Sequence, residues 1–172
     1  MAQRTDTFEL DGLQLRSGQG RRLELHVAVP GFTFGGQPWK VTPEPLPAPL
    51  DVSRTTHSGY AMRLRFDAQL HGPCMRCLDP AEPTFAVDSR EVSQPGTADE
   101  LKSPYVDEHG DLDLAAWARD ALALSVPDQV TCRPDCAGLC PVCGENLNEH
   151  PDHAHEPEPD KRWAKLSEIK FD

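Results

Sequence analysis

The most regular stretch of the chain is Tyr60–Leu70. There Tyr60, Met62, Leu64, Phe66, Ala68 and Leu70 alternate with Arg63, Arg65, Asp67 and Gln69. A period of two over this length predicts a strand with one buried face. Leu23–Val29 alternates in the same way and stops at Pro30-Gly31. Asp51–His57 and Thr84–Val92 read as further strands. The first 22 residues are polar and expected to be loosely ordered, although Phe8, Leu10, Leu13 and Leu15 allow a short strand. Between residues 31 and 49, Pro38, Pro43, Pro45, Pro47 and Pro49 remove the donors a central ladder needs. That segment is predicted to be a loop or a protected edge. Residues 93–111 are polar and read as a surface excursion. From Leu114 the period changes. Leu114, Trp117, Ala121 and Leu124 fall on one helical stripe, widened by Ala118 and Leu122, with Asp113 placed to cap it and Pro127 to close it. Trp117 reads as a core residue. A second short helix is expected near the C-terminus, where Trp163, Leu166 and Ile169 recur at three-residue spacing.

Charge divides the chain. The net charge is −11, and residues 81–172 carry twenty Asp and Glu against eight Lys and Arg. Residues 1–80 are nearly balanced, with eight against nine. Bulk charge therefore excludes non-specific nucleic-acid binding. An RNA contact would need a local patch from Arg4, Arg16, Arg21, Arg22, Arg54, Arg63 and Arg65, whereas the acidic half suits a basic protein partner. No apolar run approaches a membrane span, and none follows Met1–Asp6 as a leader would. The expectation is a cytoplasmic protein with no membrane partner. In a reducing compartment, paired cysteines mean metal or redox chemistry rather than structural disulfides.

All six cysteines are paired at chelating spacing: Cys74 with Cys77, Cys132 with Cys136, and Cys140 with Cys143. Cys140-Pro-Val-Cys143-Gly144 has the form of a zinc knuckle. Zinc takes four ligands, so two arrangements stay open. Two of the three pairs could form one all-thiolate site, leaving the histidines solvated. Alternatively, Cys140 and Cys143 join His153 and His155, while Cys74 and Cys77 join Cys132 and Cys136. Zinc, as one or two ions, is preferred to an iron–sulfur cluster. A thioredoxin-like role for Cys74 and Cys77 lacks the strand-to-helix context it needs. No phosphate loop, nucleophile elbow or metalloprotease motif is present, so no catalytic residue and no small-molecule substrate is expected. The elements and the metal together predict an α+β fold. It would be a mainly antiparallel sheet of four or five strands, open or barrel-like, with one covering helix and a zinc-stapled C-terminal region. Residues 1–130 would hold the sheet, the helix and the first cysteine pair. Residues 131–172 would hold the Cys/His-rich region and the terminal helix.

Three motifs carry a family resemblance. Cys74-Met-Arg-Cys77-Leu78 after an alternating strand resembles the first signature of the YceD-like family of large ribosomal RNA subunit accumulation proteins. Cys136-Ala-Gly-Leu-Cys140-Pro-Val-Cys143-Gly144-Glu-Asn146-Leu147-Asn148 resembles its second. Asp160-Lys-Arg-Trp163-Ala-Lys-Leu166 resembles its closing motif, with Lys161 where proline is usual. The resemblance runs from about residue 20 to the C-terminus. His153-Ala-His155 stands near the place where many members carry a C-x-C. The resemblance implies a non-enzymatic cytoplasmic factor that supports accumulation of large-subunit rRNA and ribosome assembly. Its partners would be that rRNA, a basic ribosomal protein, or both. A redox-responsive zinc protein and a zinc-ribbon adaptor that binds only protein are the alternatives.

Overall fold

The structure is a computed structural model that describes residues 4–96 and 101–155. In chain order the elements are β1 (Thr7–Glu9), β2 (Gly20–Val27), β3 (Phe32–Phe34), β4 (Gln37–Thr42), β5 (Leu46–Arg54), β6 (Tyr60–Pro73), β7 (Pro80–Ala81), β8 (Thr84–Ser93), β9 (Asp111–Asp113) and α1 (Leu114–Ser125).

Every large pairing in the main sheet involves β6 or a strand that touches it. The alternation that predicts β6 also decides which face it buries: Tyr60, Met62, Leu64, Phe66, Ala68 and Leu70 are all at most 6% exposed. β8 runs antiparallel along one edge of β6 from Tyr60 to Gln69, and β7 continues that edge against Gly72 and Pro73. The opposite edge is shared. β5 pairs with Tyr60–Leu64 and β4 with Gln69–His71, so the two strands lie end to end. β2 extends the sheet beyond β5, and β3 extends it beyond β4. The sheet has seven strands rather than four or five.

The missing strands lay in the proline-rich segment, which is largely extended rather than a loop. Parity explains how β5 tolerates its prolines. Arg54 N–H donates to Gln19 O at 2.8 Å, and Arg54 O accepts from Gly18 N at 2.9 Å, so the even-numbered residues of β5 face β2. Pro47 and Pro49 face the other way, where β6 pairs only from Leu50 onward. No ladder donor is lost.

The barrel-like alternative is corrected. Among the described residues β2 pairs only with β5, and β8 only with β6, so the sheet does not close. The helix stands where closure would have to occur, since α1 packs against β8, β2 and β1. Asp113 caps it as expected, accepting a hydrogen bond from Ala116 N at 2.9 Å. Trp117 is 1% exposed and donates its indole N–H to Ser89 Oγ at 2.9 Å, fixing the helix on the inner face of β8. Tyr105 stacks on Trp117, so part of the expected surface excursion packs on the core. The N-terminal segment is likewise tied down. β1 pairs with β9, and Leu10 is fully buried. The terminal helix and the closing motif expected beyond residue 156 lie outside the described residues.

One glycine is a spacing requirement. A Cβ on Gly72, late in β6, would sit 2.3 Å from Trp39 Cδ2, and Trp39 is buried at 1% exposed. Gly72→Ala should therefore destabilise the fold by about 1–3 kcal/mol, the range for overpacked cores, read as a lower urea midpoint at unchanged slope.

Candidate metal centres

The strand β6 delivers the first cysteine pair. After Pro73 the chain turns through Cys74–Asp79, and Pro73 pairs with Pro80 across the turn. Within it, Cys74 N–H donates to Asp79 O at 2.7 Å and Leu78 N–H to Cys74 O at 3.0 Å. The third pair sits in the same turn built a second time. Leu139 bridges Asn146 across it. Cys140 N–H donates to Glu145 O at 2.8 Å and Gly144 N–H to Cys140 O at 2.9 Å. The residue after the second cysteine is left-handed in both, with φ 66° at Leu78 and 79° at Gly144. This fold of the backbone points N–H groups at sulfur. Arg76 N–H, for example, donates to Cys74 Sγ at 3.4 Å.

These two turns do not share a site. Cys74 and Cys77 meet Cys132 and Cys136, with Sγ–Sγ distances of 3.8 Å for Cys74–Cys136 and 3.6 Å for Cys77–Cys132. Cys143 instead faces the histidines. Its Sγ lies 3.2 Å from Nε2 of both His153 and His155, whose Nε2 atoms are 2.9 Å apart. The donor atoms of Cys74, Cys77, Cys132 and Cys136 all lie within 4.8 Å of one another, as do those of Cys140, Cys143, His153 and His155. Either set could hold a metal ion. The sulfur pairs are far beyond the roughly 2.05 Å of a disulfide. They match the roughly 3.8 Å edge of a tetrahedron whose metal–sulfur bonds are about 2.3 Å.

The chain around the first set explains why Cys132 and Cys136 reach back to it. Met75 N–H donates to Val130 O at 2.9 Å, which places the start of the C-terminal region on the turn. Leu139 N–H then donates to Arg76 O at 3.1 Å, and the Arg76 guanidinium to Ala137 O at 3.3 Å. Asn146 and Asn148 of the second signature make contacts that cysteine spacing does not reveal. Asn148 donates to Cys136 Sγ at 3.6 Å and to Asn146 Oδ1 at 2.8 Å, and its own Oδ1 accepts from Ala137 N at 2.8 Å. Asn146 donates to Asp79 Oδ2 at 3.2 Å, joining the two turns. Such contacts orient ligands and tune sulfur.

The electrostatics prepare one thiolate in each set. Burial pushes the Cys74 thiol up, but the N–H groups of Arg76, Cys77 and Cys132 outweigh it and hold the pKa down at about 6. Cys140 is also held at about 6, first by the N–H of Cys143 and then by that of Val142. Burial pushes Cys77 and Cys132 above the ordinary range. A cation among them would draw off the remaining protons.

The two sets differ in access. Cys74, Cys77 and Cys136 are at most 4% exposed, whereas Cys143 and His155 lie at the surface. In chelator-treated protein, Cys143 should be the first thiol alkylated by iodoacetamide and Cys74 and Cys136 the last, as mapped by peptide mass spectrometry over time.

The family model described as large ribosomal RNA subunit accumulation protein YceD matches residues 62–170. This chain belongs to the YceD family. The match takes in all of β6 but its first two residues, both cysteine turns and His153 and His155. Two further similarities are to uncharacterized proteins of Mycobacterium tuberculosis and Mycobacterium bovis. Each is 40% identical over 105 residues, which is 57% of this chain and 49% of the other protein. A chloroplastic YCED homolog 1 of Zea mays, itself named a large ribosomal RNA subunit accumulation protein, is 38% identical over 50 residues, or 29% of this chain and 16% of its own. The chain spans about half the length of the mycobacterial relatives. No solved structure matches.

Proposed function

We propose that this YceD-family chain is a non-enzymatic cytoplasmic factor that supports accumulation of large-subunit rRNA and assembly of the large subunit. In this reading it holds two structural zinc ions. Cys74, Cys77, Cys132 and Cys136 bind one; Cys140, Cys143, His153 and His155 bind the other. The observation that carries the reading is the completeness of each set. Four protein donors fill the tetrahedron zinc prefers and leave no position for a reacting water. All four donors of a set lie close enough to share a single ion, whereas a cluster of several irons would hold its ligands further apart. Such ions brace a binding surface instead of running a reaction. No helix among the described residues is long and apolar enough to cross a membrane.

The arginines bear on the partner. Of the seven that were candidates for RNA, five are matched with carboxylates: Arg4 with Asp6, Arg22 and Arg65 with Asp51, Arg54 with Asp11, and Arg63 with Asp88. Asp51 and Asp88 are held below the usual carboxylate range, first by their hydrogen bonds from Arg22 and Arg63 respectively. The outer face of the sheet is a mesh of neutralised charge, which attracts a phosphate backbone weakly. That supports a basic ribosomal protein over rRNA as the direct partner.

Two measurements test the proposal. The purified protein should carry about two equivalents of zinc. Cys136→Ser and the double variant His153→Ala/His155→Ala should each remove one, and a folded protein without metal would end the zinc reading. Depletion in cells should lower large-subunit rRNA relative to small-subunit rRNA, and an unchanged ratio would end the ribosomal one.

A further inference from the structure

The first cysteine turn carries a residue its geometry does not call for. Leu78 occupies the left-handed position, where a branched side chain is strained and glycine is the ordinary choice. The equivalent position of the other turn holds Gly144. Leu78 is also 60% exposed. It is thus unfavourable twice, in backbone conformation and in apolar exposure, and the fold alone explains neither.

Its surroundings form a surface. A cleft of about 320 Å³ opens between the β3–β4 turn and the cysteine turn, lined by Phe34, Trp39, Pro73, Met75 and Leu78. Leu78 and Pro73 also line a second depression of about 310 Å³ that runs to Pro80, Ala81 and Glu82. Leu78 therefore stands between two apolar hollows, each large enough for one or two side chains. The surroundings are acidic. Residues 74–82 and 128–155, which pack together at this end of the sheet, carry seven Asp and Glu, all exposed. Against them stand Arg76 and Arg133 and no lysine. Arg76 is engaged by Ala137 O and Arg133 by Asp135.

We propose that this end of the molecule is a docking surface for a lysine- and arginine-rich polypeptide segment, which seats an apolar side chain beside Leu78. The assignment rests on the reading above that the chain acts by binding a basic protein, and it locates where. An apolar anchor in a cleft supplies the affinity, and the acidic surroundings select basic partners and speed their approach. The same negative charge repels a nucleic-acid backbone.

The test uses the full chain as purified and a fluorescein-labelled short peptide of lysine and arginine with one central leucine, followed by anisotropy. The peptide should bind, more weakly as salt rises, and Leu78→Asn should weaken it by about tenfold. Asparagine tolerates the left-handed conformation, so this variant should melt no lower than the parent and loss of fold cannot mimic the effect. Leu124→Asn is the control. Leu124 is 88% exposed on α1 and lines neither hollow, and its replacement should leave binding unchanged. The proposal is overturned if Leu78→Asn binds the peptide like the parent, or if a peptide with glutamate in place of lysine and arginine binds as well. It is also overturned if single-stranded oligo(U) binds more tightly than the peptide, which would assign the surface to RNA. A cell line lacking the protein separates this proposal from the ribosomal reading. Normal rRNA ratios there defeat that reading whatever the peptide does. A lowered ratio with a Leu78-independent peptide defeats only the docking surface.

Discussion

Four cysteine sulfurs drawn within a few ångströms of each other are a demand for positive charge. Each thiolate formed raises the cost of the next, which is why burial and neighbours push Cys77 and Cys132 up while Cys74 stays near 6. The rest of the architecture presents this group. The long strand β6 carries two of the sulfurs to its tip, and the backbone pairing of Met75 with Val130 brings the other two to meet them. The core is continuous through the junction, since Cys74, Cys77 and Cys136 belong to the same buried cluster as the sheet residues.

Where pattern maps onto one local cause, the sequence was readable. Strict alternation located β6 and its buried face, and an aspartate before an apolar stripe located α1 and its cap. The family also followed from local motifs, because the residues around Cys74/Cys77 and Cys140/Cys143 each serve one turn whose hydrogen bonds close within six positions. The strands β3, β4 and the first half of β5 were hidden because proline content was judged without knowing which edge each nitrogen would face. Pro47 and Pro49 cost nothing only because β6 has not yet begun to pair beside them, a fact of the assembled sheet.

The partition of the cysteines was narrowed to two arrangements, of which the observed grouping was one. Spacing shows that a pair can chelate, but not which pair it meets across more than fifty intervening residues. Two turns of the same design invite the guess that they face each other. Here they do not, and contacts such as Asn146 to Asp79 make them neighbours instead of partners. The charged face of the sheet gave a similar lesson. Counting arginines suggested an RNA patch, while the cross-strand register places an aspartate beside Arg22, Arg63 and Arg65.

The partition also sets an order in time. The two ligand sets are not interleaved along the chain: Cys136 ends the first before Cys140 begins the second. A chain emerging from its N-terminus offers the four thiols complete before any ligand of the Cys/His set exists. The first set must close sequence separations of 55 and 62 residues and so waits for the sheet. The second spans separations of 10 and 12 and closes at little entropic cost, almost as soon as His155 is free. In a growing chain the four thiols of the long-range set are therefore all present before Cys140 and Cys143, so the order of synthesis favours this partition over one that mixes the two twin turns.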